Sequence, residues 1–111
     1  MSIRGLADRR IGMRDIVDTI EIEADPAFVL AAVREQLEPR FAIENQSLGG
    51  IELRDPSDGT RLLFAFARMS TGTRVALLHL GVARARYEHS LDVWRRYLTG
   101  LKSAIETGEA A

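Results

Sequence analysis

The side chains best suited to chemistry in this 111-residue chain are His79, Arg68, Trp94 and Tyr97. His79 follows Val75 and Leu77 at alternate positions, so in a strand the three share one face. A half-buried imidazole there could contact a ligand through hydrogen bonds or act as a general base. The sequence assigns it no serine or carboxylate partner, and a satisfied structural histidine is the alternative. Arg68 continues the alternation of Leu62, Phe64 and Phe66, from which its planar fork of donors could anchor an anionic group or reach a carboxylate at the sheet rim. Trp94 and Tyr97 would line an apolar pocket with a polar tip, or belong to the core, as aromatic residues at helical spacing usually do.

Other chemistries find less support. With no cysteine, the chain has neither disulfides nor thiolate ligands or nucleophiles, and this composition fits a reducing, cytoplasmic setting. Two histidines make a poor start for a transition-metal site, so neither a metal nor any other cofactor is expected. Asp15, Asp18, Glu21 and Glu23 diverge along a strand, whereas a hard cation needs oxygens converging from a turn. Gly49 and Gly50 lack the wider glycine spacing and the Lys-Ser/Thr of a phosphate loop, and suggest a bend or bulge. Arg4, Arg9, Arg10 and Arg14, with Arg84, Arg86, Arg95 and Arg96, could touch phosphates, but a net charge of -1 favours solvated arginines over nucleic-acid binding. No apolar run approaches the roughly 18 residues that span a bilayer.

The elements that must position these groups follow from periodicity. Residues 1–14 suggest a flexible Arg-rich arm, residues 15–108 a single domain, and residues 109–111 a frayed tail. Ile16, Asp18, Ile20 and Ile22 alternate as a strand starting at Asp15. Asp25 and Pro26 then stand where a helix cap and first helical residue belong, and Phe28, Val29, Ala32, Val33 and Leu37 give that helix its apolar stripe. Turn-forming residues divide strands expected near 41–47, 51–55, 60–69 and 73–82, a β-meander. Tyr87, Leu91, Trp94, Leu98, Leu101 and Ile105, three or four apart, define a long amphipathic helix stopped at Gly108. The expectation is an α+β fold, an antiparallel sheet wrapped on a long C-terminal helix, with a short helix after the first strand.

That order resembles the START-like, helix-grip (SRPBCC) superfamily, which includes polyketide cyclases and activators of heat-shock-protein ATPases. Thr73-Arg74-Val75-Ala76-Leu77-Leu78-His79-Leu80-Gly81, Trp94-Arg95-Arg96-Tyr97-Leu98 and Ile105-Glu106-Thr107-Gly108 look like the last strand and helix of bacterial activator homologues. The opening, Asp18 to Val33, is similar to the family's start. The middle departs, since members of this branch usually carry a second short helix, an aromatic segment often bearing paired tryptophans, and extra strands. The resemblance implies a noncatalytic module holding a hydrophobic or amphipathic small molecule between sheet and helix. Phe64, Phe66, Trp94 and Tyr97 would be its walls, and Arg68 and His79 its polar contacts. Two other functions remain open: a cyclase or dehydratase using His79, and a protein-interaction domain with a vestigial pocket.

The last strands add an independent signal. Leu63, Ala65, Ala67 and Met69 on one, with Ala76, Leu78 and Leu80 on the other, make the second sheet face apolar as well. One helix covers one face, so the pattern predicts a homodimer through the outer sheet.

Overall fold

Alternating apolar side chains and short turns organise the chain into β1 (Met13–Ile22), α1 (Pro26–Leu37), β2 (Ala42–Ser47), β3 (Gly50–Arg54), β4 (Arg61–Met69), β5 (Gly72–Ala83) and α2 (Tyr87–Thr107), with a 3-10 turn at Arg84–Arg86. The computed structural model describes residues 12–108, so most of the expected arm and the expected frayed tail lie outside the described residues. β1 begins at Met13, two residues before the expected start, and takes in Arg14 from the arm. Arg14 places its guanidinium 3.9 Å from the centroid of the Tyr87 ring.

The sheet is antiparallel in the order β1-β5-β4-β3-β2. β2 to β5 form a meander, and the chain's first strand pairs with its last. Two tight points set this register. Gly72 ends the β4–β5 hairpin at φ 149°, where a Cβ would meet the Ile22 carbonyl oxygen at 2.1 Å, so only glycine allows β1 to come so close. Gly81, at φ 73°, faces the irregularity between Arg14 and Ile16, and its N–H donates to Asp15 at 3.0 Å.

Burial follows the alternation. Ile16, Ile22, Ile51, Leu53, Leu62, Phe64, Phe66, Val75 and Leu77 point into one core against the two helices. α2 buries Trp94, Leu98, Leu101 and Ile105, with Tyr87 and Leu91 packed at its margin. Its far end is tied to β1 by Lys102, which donates to the Glu21 carbonyl at 2.7 Å, and by Glu106, which accepts the Glu23 N–H at 2.9 Å.

α1 differs from expectation in two details. Its buried stripe is Val29, Leu30, Ala32, Val33 and Leu37, while Phe28 is 48% exposed. The stripe centres on Val29, Val33 and Leu37, and position 28 is rotated about 100° from Val29. Asp25 occupies the N-cap position in extended conformation, but its carboxylate makes no cap hydrogen bond and instead accepts from Arg68 at 3.0 Å.

Candidate functional site

Thr73, Val75, Leu77 and His79 alternate on the inner face of β5, all buried, and this places the imidazole opposite α2. Trp94, on the buried stripe of α2, donates its indole N–H to His79 Nδ1 at 2.9 Å. An indole nitrogen only donates, so Nδ1 is the acceptor and the proton of a neutral imidazole resides on Nε2. Nε2 lies 2.8 Å from Thr60 Oγ1 and donates to it. Thr60 Oγ1 in turn donates to Asp58 Oδ1 at 2.6 Å. The result is one directed chain of hydrogen bonds from α2, through the sheet, to the β3–β4 loop.

The loop is built to hold its end of that chain. Asp55 and Thr60 pair through backbone, the Gly59 N–H returns to the Asp55 carbonyl, and Asp58 Oδ1 also accepts the Thr60 N–H. Asp55 Oδ1 receives both the N–H and the hydroxyl of Ser57. The Thr60 hydrogen bonds hold the Asp58 carboxyl below the usual carboxylate range. Burial pushes the His79 pKa below its ordinary value of 6.5, and this outweighs the opposing pull of Asp58 and Asp55. Both imidazole nitrogens are engaged, Nδ1 as an acceptor and Nε2 as a donor, so the ring takes up a proton only by giving up the Trp94 bond.

The other expected aromatic residues meet beside this chain. Trp94 and Tyr97 are edge-on at 5.7 Å, Phe64 lies 6.4 Å from Trp94 and 6.2 Å from Tyr97, and Phe64 stacks on Phe66 at 6.4 Å. Phe41 adds a ring 6.1 Å from Trp94. These rings pack on one another between sheet and helix. The Tyr97 hydroxyl is buried among them without a hydrogen-bond partner among the described residues, and burial raises its pKa.

Arg68 does not join this group. Its side chain is 70% exposed at the rim and pairs with the 73% exposed Asp25, the alternative that the sequence allowed. The sequence reading missed Asp58 and Thr60, whose spacing marks a turn but does not reveal that the register of Leu62 with His79 brings them to the imidazole.

Two depressions open on the surface. A polar cleft of about 240 Å³ opens beside His79, lined by Asp55, Ser57, Asp58, Thr60, Arg86 and Ser90. A larger groove of about 410 Å³ lies between α1 and the edge strand β2, bounded by Ala27, Leu30, Ala31, Arg34, Glu35 and Gln46, and contains none of the expected site residues. Among the described residues no three histidine, aspartate or glutamate side chains group as a metal site, and no helix is long and apolar enough to cross a membrane.

The sequence matches no family model and no curated protein. Its fold does match solved structures. The Aha1 dimer of Colwellia psychrerythraea superimposes with a TM-score of 0.76 at 17% identity, over 86% of this chain and 98% of that one. The KanY protein gives 0.70 at 16% identity, over 86% and 99% of the two chains. Protein SSP2350 of Staphylococcus saprophyticus gives 0.67 at 12%, over 86% and 93%. At such identities the likeness is one of architecture. The chain has the START-like, helix-grip fold.

Proposed function

We propose that this chain is a small noncatalytic START-like module of the cytoplasm that acts through its surface, pairing with a second copy across the outer sheet face. The observation that carries the reading is the pattern on that face. Val17, Leu78 and Leu63 stand in register across three strands, with Thr19, Ala76 and Ala65 in the next row. Ion pairs flank them, Glu21 with Arg74 on one side and Glu52 with Arg61 on the other. An apolar centre within a rim of paired charges is the anatomy of a protein interface, and a twofold axis through it would let each rim face a copy of itself. The dimeric state of the Colwellia Aha1 structure supports the same reading.

The test is the mass in solution by size-exclusion chromatography with light scattering. A dimer at micromolar concentration, converted to a folded monomer by Leu78→Arg, is the expected result. A wild-type monomer under those conditions would remove the proposal.

One observation favours a second reading, in which an apolar or amphipathic small molecule enters between sheet and α2. The unpartnered Tyr97 hydroxyl would suit a ligand's single acceptor, with Phe64, Phe66 and Trp94 around the apolar part and His79 nearby. Because these rings pack together, entry requires α2 to move. Arg68 would take no part from its place at the rim.

A further inference from the structure

Three features of His79 belong together: a buried ring with both nitrogens bonded, a donor-only partner on one of them, and an adjoining cleft carrying two carboxylates. The indole N–H requires a bare lone pair on Nδ1. A proton placed there sets N–H against N–H at 2.9 Å, so the Trp94 bond and the imidazolium exclude each other. On the other side the ring borders the cleft that holds Asp55 and Asp58.

We propose that His79 is a two-position pH latch. Neutral, it bridges Trp94 of α2 to Thr60 of the β3–β4 loop; protonated, it releases Trp94 and turns into the cleft, where Asp55 and Asp58 receive its N–H groups. The proton comes from a solvent hydronium, which gives up an O–H bond as the N–H bond forms on Nδ1, and no other covalent bond changes. Burial disfavours the charged ring in its inward position, which places the transition on the acid side of an ordinary histidine.

The surroundings fit two positions. The β3–β4 loop presents Asp55 and Asp58, which favour the imidazolium, and the 3-10 turn presents Arg86 at the same cleft, where its charge helps hold Asp58 ionised. β1 sets Ile16 opposite His79 and brings Asp15 to the Gly81 N–H, β4 sets Leu62 opposite, and α2 offers Trp94 and Ser90. Carboxylates therefore lie on the cleft side, and apolar or neutral groups on the core side. Release removes one polar tie between α2 and the sheet, while Arg95 with Asp18 near Trp94, and Lys102 and Glu106 at the far end, keep the helix attached.

Trp94 is the chain's single tryptophan and reports on the latch directly. The experiment follows its indole N–H resonance and its fluorescence, together with the His79 ring resonances and far-UV circular dichroism, from about pH 8 to about pH 4.5, a range that brackets histidine titration. The expected result is one step below pH 6.5 shared by both residues, with loss of the hydrogen-bonded indole shift and secondary structure intact. His79→Gln should abolish the step, and Asp58→Asn should move it to lower pH. A flat indole resonance while His79 titrates would overturn the latch, as would a neutral His79 until global unfolding or the same step in His79→Gln. Should His79→Gln fail to fold, Asp58→Asn decides, and an unmoved midpoint there refutes the proposal.

Discussion

Both faces of the sheet are apolar along β4 and β5, and they differ in what covers them. The inner face carries large rings and branched chains, Phe64, Phe66, Val75 and Leu77, each 6% exposed or less under the helices. The outer face carries smaller or half-covered side chains, Leu63, Ala65, Ala76 and Leu78, with Val17 64% exposed at its edge. A period of two puts alternate residues on opposite faces, so one strand can serve a core and an interface at once. Continuous apolar text in these strands therefore describes two surfaces, only one of which is covered by the described residues.

The sharpest break in that comparison is Phe64→Ala. Removing a buried ring that contacts Phe66, Trp94 and Tyr97 should cost about 3–5 kcal/mol in chemical denaturation. Its neighbour on the other face should behave differently. Leu63→Arg should weaken self-association about tenfold or more in sedimentation equilibrium, through a charge desolvated at the apolar centre, and leave the monomer's unfolding cooperative.

Acid should separate the core from the interface as well. The His79 pKa is lowered on folding, so below its ordinary 6.5 the unfolded chain binds a proton that the folded chain refuses. Stability is therefore full above pH 6.5 and falls as pH drops through the window down to the folded value. Asp58, also lowered, adds a loss in the same direction only at the more acid carboxylate range. Urea midpoints measured across this range should show the first loss in wild type and not in His79→Gln. The smallest effect is expected at Arg68→Ala. The ion pair with Asp25 is largely solvated, and its removal should change stability by no more than about 0.5 kcal/mol by calorimetry.

The elements were legible wherever local chemistry decides them. Asp25-Pro26 opens α1 and the 3- and 4-residue spacing from Tyr87 to Ile105 gives α2, while strand limits shift by a residue or two where pairing across the sheet sets them. The site was legible in part. Alternation places His79, Phe64 and Phe66 inward, and helical spacing turns Trp94 toward them, so their meeting follows from pattern. The bonds made by Thr60 and Asp58 do not, because they depend on a loop conformation and on the register of β4 against β5. Arg68 shows the converse. Its alternation is right, but the strand has by then reached the sheet rim, and the nearest charge is Asp25 at the start of α1.

Amide spectra recorded during dilution from high to low micromolar concentration test the account most directly. Concentration-dependent shifts confined to Val17, Leu63, Ala65, Ala76 and Leu78, with Phe64, Trp94 and Tyr97 unmoved, are the result predicted for an outer-face dimer around a closed core. Spectra that do not change from a monomer's, or shifts centred on the aromatic residues, would contradict it.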